Sequence, residues 1–273
     1  MEAMPHVLWV GGPPGSGKTT VARRLARTYG LRWYNSDAHT WSHRDRAVGV
    51  HNPAALRFEA LTPTERSSLT PQEWVAMSLQ VERGPMTVDD LRALPTVPAI
   101  IAEGTQVTPR MLPPGSQAVW LMPSYECLRA RLDERHRPNG APGAYLEMAR
   151  WVFSQVTDTA PPSSILRVDG WSVEKTVSQV EQLFRDWLAA QPRAESVEER
   201  RQLRRYANRV VVEQYRGYLA RPWTIGDPSE IVRAFDCECG LLDCEAQVEL
   251  TIADFPDPPD AGAPPVLSPG HRT

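Results

Sequence analysis

The sequence predicts a three-layer α/β fold on a parallel five-stranded sheet, followed by a long helix and a small C-terminal module. Short apolar runs alternate with amphipathic stretches between residues 5 and 190, which is typical of a parallel sheet covered by helices on both faces. A glycine-rich segment follows the first apolar run, at the place of a phosphate-binding loop. Three cysteines, Cys237, Cys239 and Cys244, then indicate a separate C-terminal unit.

Length and composition are consistent with this architecture. The 273 residues suffice for one large domain or for an ordinary domain with a small one, and 41% apolar and 23% charged residues are usual for a globular chain. No apolar stretch is long enough to cross a membrane, and residues 1–10 lack a signal-peptide pattern. We therefore expect a cytoplasmic protein without a membrane partner. The net charge of −3 gives no overall electrostatic case for nucleic acid.

The first strand is predicted at 6–10 and the first helix at 19–29. Between them, Gly-Pro-Pro-Gly-Ser-Gly-Lys-Thr at 12–19 is a full G-x-x-x-x-G-K-[ST] motif. Glycines let backbone N–H groups turn around phosphate oxygens, and the helix N-terminus adds partial positive charge. Lys18 would reach the β- and γ-phosphates and Thr19 would ligate Mg²⁺; the alternative is a glycine-rich turn without a ligand. The predicted nucleotide-binding residues are Gly12, Gly15, Ser16, Gly17, Lys18, Thr19 and Thr20.

The rest of the chain narrows the class of nucleotide enzyme. A Ras-like GTPase needs Asn-Lys-x-Asp, but the only other lysine is Lys175, in Val-Glu-Lys-Thr, and no apolar strand ends in the Asp-Glu of a motor ATPase. The second predicted strand, 31–35, is followed instead by Asp37. A carboxylate there can accept the proton of an acceptor hydroxyl, which favours a kinase. The alternative is that Asp37 only caps the next helix.

Two strands carry a resemblance to a known family. One is the strand before Asp37, and the other is the third predicted strand, 97–102, which is followed by Glu103-Gly104. They resemble the P-loop kinases of small molecules, the uridine, gluconate, shikimate and chloramphenicol phosphotransferase group. The resemblance implies Asp37 as general base, a third strand beside the first, and Glu103 holding a metal-bound water or the acceptor. It also implies ATP and Mg²⁺ as cofactors and a small-molecule hydroxyl as acceptor. The alternative for Glu103 is a plain loop carboxylate.

The fourth strand is predicted at 118–122, and a helix at 124–135 would bury Cys127 on its apolar face. The arginines of this helix and the Gly/Pro loop after it, about 129–143, resemble the lid that closes on the phosphates and excludes water in these kinases. The resemblance gives catalytic roles to Arg131, Arg135 and Arg137; a solvated arginine-rich helix is the alternative. A helix at 145–157, a fifth strand at 165–168 and a helix at 173–189 complete the first domain, 1–190.

An insertion at 38–95 lies where the resemblance places the acceptor-binding lobe. A capping box at 70–73 predicts a helix at 71–82, with another short helix near 88–91. The mixture of aromatic and basic side chains suits a ring-bearing or sugar-like acceptor. The predicted acceptor contacts are His39, Trp41, Arg44, Arg83 and Glu103. A metal at the three histidines 39, 43 and 51, or an ordinary structural cluster, is the alternative.

A long charged helix is predicted at 196–219, within a second segment at 191–221. Its arginines, at 200, 201, 204, 205 and 209, alternate with apolar residues, which predicts a solvated helix packed on one side. The alternative is that this basic helix contacts nucleic acid or a protein partner. The chain would then be a nucleotide-responsive binding protein.

The third segment, 222–273, carries Cys-x-Cys-x4-Cys and, near its end, Pro-Gly-His. Clustered thiols in a cytosolic chain indicate a metal more often than a disulfide. Together with the Val-Glu-Leu-Thr stretch at 248–251, these motifs resemble a small zinc-binding module found in uncharacterised proteins of high-GC bacteria. The resemblance adds His271 to Cys237, Cys239 and Cys244 as ligands of Zn²⁺. Four protein ligands leave no open position, so the zinc would be structural; the alternative is free thiols in a disordered tail.

Overall fold

The computed structural model describes residues 2–136, 142–256 and 263–272. The large sheet contains β1 (Val7–Gly11), β2 (Arg32–Asn35), β3 (Ile100–Gly104), β4 (Gln117–Met122) and β5 (Ile165–Arg167). The helices are α1 (Lys18–Tyr29), α2 (Thr40–Gly49), α3 (Pro53–Ala60), α4 (Pro63–Ser67), α5 (Pro71–Ala76), α6 (Gln80–Ala93), α7 (Tyr125–Arg135), α8 (Gly143–Thr157), α9 (Val173–Leu183), α10 (Arg185–Ala190) and α11 (Val197–Leu219). A hairpin of β6 (Val232–Asp236) and β7 (Gln247–Thr251) follows.

The large sheet is parallel throughout and has the strand order β2-β3-β1-β4-β5. Side chains of β1 alternate between two buried faces: Trp9 packs with residues of α6 and α8, whereas Leu8 packs with residues of α1, α9 and α10. Burial on both faces is what the continuous apolar runs require. The predicted three-layer α/β fold with a five-stranded parallel sheet is confirmed.

The register of the central strands brings three chain segments to one edge. Val10 lies opposite Glu103, and Asn35 lies opposite the same residue from the other side. The loop after β1, the end of β3 and the turn after β2 therefore meet at the carboxyl edge of the sheet. Ligands of open α/β sheets bind at this edge.

The insertion departs from the prediction. The expected helix at 71–82 is wrong, because α5 ends at Ala76 and α6 begins at Gln80. Between them, Leu79 has a φ of 60° and is buried against Ala47 and Ala55. Burial of that side chain offsets the cost of the left-handed backbone. The short helix expected near 88–91 is part of the longer helix α6.

Smaller boundaries also differ. The helix expected at 173–189 is divided at Phe184, which is 7% exposed and packs into the core under α9 and α10. The third strand begins at Ile100, since Pro98 has no N–H for the ladder and the Ala99 N–H donates to the Pro192 carbonyl oxygen. The strand continues to Gly104, so Glu103 lies inside it. Cys127, expected to be buried, is only half-buried.

The long helix forms as predicted. Ser196 accepts a hydrogen bond from the backbone of Glu199, whose carboxylate accepts hydrogen bonds in return, so a capping box begins α11. The β6–β7 hairpin encloses a small core with Phe235 and Phe255, against which Val212 of α11 packs. Helix α11 contacts α2 and β2 as well as β6. Within the described part of the chain, no helix has both the length and the apolar character needed to cross a membrane. Domain boundaries near 190 and 221 stay a prediction.

Candidate functional site

The loop between β1 and α1 has a backbone that requires glycine. Gly12, Gly15 and Gly17 have φ values of 144°, 81° and 92°, a region that side-chain-bearing residues rarely adopt. A Cβ at Gly12 would lie 2.6 Å from the carbonyl oxygen of Leu121. Gly17 is the N-cap of α1, so the loop directs backbone N–H groups and a helix N-terminus toward the same space. This geometry suits a phosphate.

Lys18 and Asp37 meet beside this loop. The Nζ of Lys18 lies 3.5 Å from Asp37 Oδ2, and the Asp37 side chain stays 38% exposed. Thr105, just after β3, donates to the Asp37 carboxylate from its backbone N–H at 3.3 Å and from its hydroxyl at 3.2 Å. The turn is capped by Asn35, whose side chain accepts from the N–H groups of Asp37 and Ala38. Asp37 is therefore not the cap, and its carboxylate faces the loop.

The charges around Asp37 keep it ionised. Partial burial alone would raise the pKa of this carboxyl, but Lys18, Arg83 and the two hydrogen bonds from Thr105 together hold it below its usual value. Arg83 is fixed in turn by its Nη2, which donates to the Ser36 carbonyl oxygen at 2.7 Å. A carboxylate that is charged near neutral pH can accept a hydrogen bond from an acceptor hydroxyl.

Glu103 lies beneath the loop, inside β3, and is fully buried. The Thr19 hydroxyl donates to its Oε1 at 3.1 Å, whereas its Oε2 has no hydrogen-bond partner among the described residues. Burial, and secondarily the negative charge of Asp37, raise the pKa of Glu103 to about 8, against the opposing effect of Lys18. The Thr19 hydroxyl and the Glu103 carboxylate, once it has lost its proton, are hard oxygen donors, and they fit Mg²⁺.

A cleft of about 410 Å³ opens in front of these residues. The P-loop and Asp37 form one side, and the insertion forms the opposite side. The lining residues from outside the P-loop are Asp37, Thr40, Trp41, Arg44, Phe58, Trp74, Ser78, Gln80, Arg83, Thr105, Arg135, Tyr145, Met148 and Gln214. Aromatic walls around a basic floor suit a small molecule with a flat apolar part and polar substituents.

Three of the expected acceptor contacts, Trp41, Arg44 and Arg83, line this cleft. Glu103 is below it, next to Thr19. His39 does not line the cleft: its ring stacks on Tyr34, with 4.6 Å between centroids, and it borders a separate crevice under α11. Burial lowers the pKa of His39 to about 4.

The three histidines of the insertion do not form a metal site in the described part of the chain. His43 lies 2.7 Å from the Asp90 carboxylate through its Nε2. Its Nδ1 faces Arg83 Nε at 3.4 Å, so both ring nitrogens are engaged. His51 is exposed on the loop after α2. These contacts favour the structural alternative for the histidines.

Arg44 has unused hydrogen-bonding capacity. Its side chain is 4% exposed and packs on the Phe58 ring at 4.0 Å, and Nη2 donates to the Met77 carbonyl oxygen at 2.7 Å. Its Nε and Nη1 have no hydrogen-bond partner among the described residues, although Glu59 lies 4.0 Å from Nε. Burial lowers the pKa of Arg44 to about 10, which leaves it charged at neutral pH.

The three predicted lid arginines differ in where their side chains lie and in whether the structure describes them. Arg135 lines the cleft at the end of α7. Arg131 is turned to the end of β5, where its Nη2 donates to the Val168 carbonyl oxygen at 3.1 Å. Arg137 lies outside the described residues.

The sequence analysis missed several residues that line the cleft, among them Thr105 and Gln214. Thr105 follows Glu-Gly at the end of the third strand. Because the second and third strands are adjacent and parallel, its proximity to Asp37 could have been inferred from the predicted sheet. Gln214 comes from α11, far along the chain, and its sequence neighbourhood gives no signal of a site.

The predicted zinc ligands converge in the C-terminal unit. The ligand atoms of Cys237, Cys239, Cys244 and His271 all lie within 4.8 Å of one another. His271 Nδ1 is 3.3 Å from the Cys237 sulfur and 3.5 Å from the Cys244 sulfur. Burial alone would raise the pKa of the Cys239 thiol, but the Leu241 N–H and the neighbouring side chains of the cluster lower it. Three sulfurs and one imidazole nitrogen fit tetrahedral Zn²⁺.

The arginines of α11 are used to hold this cluster. Arg204 donates from Nη1 to the Cys237 carbonyl oxygen at 2.9 Å and reaches the Cys239 sulfur at 3.5 Å. Arg200 and Arg201 donate to the carbonyl oxygens of Gly240 and Glu238 at 2.8 and 3.2 Å. Arg205 pairs with the buried Glu238 carboxylate at 2.8 Å. The helix therefore turns much of its positive charge toward its own C-terminal unit.

No protein-family model matches the sequence. Among curated proteins, the chain is 24% identical over 233 residues to the bifunctional pantoate ligase/cytidylate kinase of Synechococcus sp., covering 69% of this chain and 44% of the relative. The enzyme of the same description from Acaryochloris marina is 23% identical over 227 residues, covering 68% and 43%. A shorter match of 104 residues, 33% identical, to replication factor C small subunit 2 of Pyrobaculum aerophilum covers 38% and 30%. The chain thus spans less than half the length of these relatives.

Similar solved structures include kinases. Shikimate kinase from Acinetobacter baumannii is 17% identical, covers 66% of this chain and 93% of that one, and has a TM-score of 0.41. A sugar kinase from Janibacter sp. is 18% identical, covers 66% and 94%, and has a TM-score of 0.37. A gluconokinase from Sinorhizobium meliloti is 17% identical, covers 69% and 94%, and has a TM-score of 0.36.

Proposed function

We propose that this chain is an ATP- and Mg²⁺-dependent kinase that transfers the γ-phosphoryl group to a hydroxyl of a small molecule. The observation that carries the proposal is the approach of Lys18 and Asp37 to 3.5 Å at the floor of one cleft. A phosphate-binding cation and an ionised carboxylate meet there, opposite a lobe with aromatic walls. A kinase needs this pairing of a donor site with an acceptor site.

Each residue has a role in this reaction. Asp37 accepts the hydroxyl proton as the acceptor oxygen forms its bond to the γ-phosphorus and the bond from that phosphorus to the β,γ-bridging oxygen breaks. Lys18 and the loop N–H groups offset negative charge on the phosphates. Thr19 and Glu103 would hold Mg²⁺, which supplies charge neutralisation on the phosphates. Arg135, Arg131 and Arg137 are the proposed lid arginines, and Trp41, Arg44 and Arg83 the proposed acceptor contacts.

The proposal is tested by ADP formation from Mg²⁺-ATP, first alone and then with a panel of sugars, nucleosides and antibiotics that carry hydroxyl groups. ADP that depends on one compound, with a gain of one phosphate in that compound's mass, is the expected result. ADP formed at the same rate without any added compound would instead identify a nucleotide hydrolase.

The unpaired nitrogens of Arg44 favour a second candidate acceptor, a phosphate group. Arg44 lines the cleft, where a guanidinium can hold an anion, and two curated relatives are described as bifunctional pantoate ligase/cytidylate kinases. The chain would then phosphorylate a nucleoside monophosphate. Cytidine 5′-monophosphate therefore belongs in the same panel, and a diphosphate product would select this candidate.

We propose a structural Zn²⁺ at Cys237, Cys239, Cys244 and His271. Support comes from the convergence of the four ligand atoms and from the small size of the hydrophobic core around Phe235. A bound metal adds folding free energy where such a core is small. Elemental analysis of the purified protein should find one zinc per chain.

The alternative of a nucleotide-responsive binding protein rests on the basic face of α11. Four arginines of that helix, at 200, 201, 204 and 205, donate to the C-terminal unit instead. Arg209 lies 3.9 Å from Glu213 on the same helix. Binding of a DNA and RNA panel at low salt, with its salt dependence, tests this alternative.

A further inference from the structure

Part of the acceptor cleft is formed by α11, outside the sheet domain. Gln214, in the last third of that helix, lines the same cleft as Lys18 and Asp37. Gln214 is far from the P-loop in sequence but lies near it in space, because α11 packs along β2 and α2. The acceptor lobe thus has one wall that comes from the C-terminal part of the chain.

The amide of Gln214 has a fixed orientation. Its Oε1 accepts a hydrogen bond from the backbone N–H of Trp41 at 3.2 Å. Since that partner is a donor, the oxygen of the amide faces Trp41 and the NH₂ group points away from it. No hydrogen bond joins the Gln214 Nε2 to any residue that the structure describes. Two N–H donors therefore remain for a molecule in the cleft.

The position of α11 at the cleft is set by close packing. A Cβ at Gly217 would lie 3.0 Å from the Trp41 Cβ, so the glycine permits the closest approach of α11 to α2. Tyr218 packs on the Trp41 ring at 5.5 Å between centroids. Arg221 pairs with Asp45 at 2.7 Å. These contacts hold the Gln214 side chain against the acceptor lobe.

A second set of contacts joins the turn after α11 to α3. Trp223 Nε1 donates to Glu59 Oε2 at 3.0 Å, and the ring packs edge-on to Phe58, which itself lines the cleft. The acceptor wall and the C-terminal segment are therefore one packed unit.

We propose that Gln214 is a specificity-determining residue that donates a hydrogen bond to an oxygen atom of the acceptor molecule. This inference rests on the proposed kinase function. The acceptor it selects carries a hydroxyl, carbonyl or carboxylate oxygen on the side that faces α11, away from the hydroxyl that faces Asp37. Residues beyond the sheet domain thus take part in choosing the substrate.

The test measures acceptor binding and needs no turnover. The full chain is saturated with Mg²⁺ and a non-hydrolysable ATP analogue and titrated calorimetrically with uridine, D-gluconate, shikimate, chloramphenicol and cytidine 5′-monophosphate. The compound that binds is then titrated into Gln214→Ala, Gln214→Glu and Gln202→Ala. Gln202 is an exposed glutamine on the same helix and provides the matched control.

Gln214→Glu separates a binding role from a structural one. A glutamate still accepts the Trp41 N–H but has no N–H to donate to the cleft. We expect both Gln214 variants to weaken acceptor binding by about five- to tenfold, the loss of one hydrogen bond, with unchanged affinity for the ATP analogue. Gln202→Ala should bind like the wild type.

The remaining outcomes overturn the inference in distinguishable ways. If Gln214→Glu binds the acceptor as tightly as the wild type, Gln214 only supports the Trp41 backbone. If Gln214→Ala leaves the acceptor affinity unchanged, Gln214 makes no hydrogen bond to the acceptor. If none of the five compounds binds the wild type, the proposed function fails for these acceptor classes, and this inference fails with it.

Discussion

A hydrogen bond of 3.1 Å joins the Thr19 hydroxyl, at the start of the helix after the phosphate-binding loop, to the Glu103 carboxylate, at the end of β3. The two residues are 84 positions apart in sequence. They meet because β1 and β3 are adjacent parallel strands whose carboxyl ends lie together. This contact connects the nucleotide side of the site to the strand that also positions Thr105 against Asp37.

Replacing Asp37 by asparagine should remove the proposed base while keeping its shape. We expect turnover to fall by about 100- to 10,000-fold, the usual size of general-base catalysis, with little loss of nucleotide affinity. Steady-state kinetics and nucleotide titration measure the two effects. Asp186→Asn, at an exposed carboxylate on α10, is the control, and equal turnover in both variants would remove Asp37 from the mechanism.

Glu103→Gln should change how stability depends on pH. The pKa of Glu103 is raised to about 8 in the folded protein, so the folded state binds more protons than the unfolded state between pH 4.5 and pH 8. The wild type therefore loses stability as pH rises through this window. We expect Gln to stabilise the metal-free protein, by at most about 3 kcal/mol at pH 7, and not at pH 4.

Chemical denaturation with a chelator present measures this difference. In activity assays the same variant should need about 10- to 100-fold more Mg²⁺ for half-maximal rate, the usual cost of a lost metal-site partner. An unchanged Mg²⁺ requirement would contradict the placement of Mg²⁺ at Thr19 and Glu103.

His39 gives a second pH effect, of opposite sign. Its pKa is lowered to about 4 by burial, so the unfolded state binds more protons between pH 6.5 and pH 4, and stability falls as pH falls through this range. The contribution is about 2 kcal/mol between pH 7 and pH 5. His39→Phe keeps a ring on Tyr34 and should reduce the acid loss by that amount; His51→Gln, at an exposed histidine, should not.

Cys239→Ser should release the zinc and destabilise the C-terminal unit. Loss of a structural metal is among the larger single-residue effects, and we expect at least about 2 kcal/mol in the free energy of unfolding. Cys127→Ser is the matched control, because Cys127 is half-buried on α7 and stands apart from the cluster. Equal zinc content and equal stability of the two variants would rule out the proposed site.

The sequence predicted the features that depend on local spacing. The glycines and Lys18 of the loop, the apolar strand that leads to Glu103, and the capping box of α11 are each readable from a few neighbouring residues. The carboxyl-edge location of Asp37 followed from the parallel sheet. The convergence of Cys237, Cys239, Cys244 and His271 was expected from a resemblance, since residue spacing alone does not bring a distant histidine to the thiols.

Features that depend on packing between distant segments were not predictable. The left-handed Leu79 breaks a regular helical pattern because its side chain is buried against Ala47 and Ala55. Gln214 reaches the cleft through a contact with Trp41 that spans 173 positions. His39 was expected beside Trp41 in the acceptor site, but the short helical turn after β2 directs the two rings to different crevices.

The proposed kinase reaction is tested most directly by following the γ-phosphoryl group itself. ATP labelled with ¹⁸O in its γ-phosphoryl group is incubated with the protein, Mg²⁺ and the acceptor panel in unlabelled water, and the products are examined by mass spectrometry. We expect a labelled phosphate ester on one panel compound, formed by the wild type and formed about 100- to 10,000-fold more slowly by Asp37→Asn. Label found only in inorganic phosphate, with every panel compound unmodified, would contradict the proposed reaction.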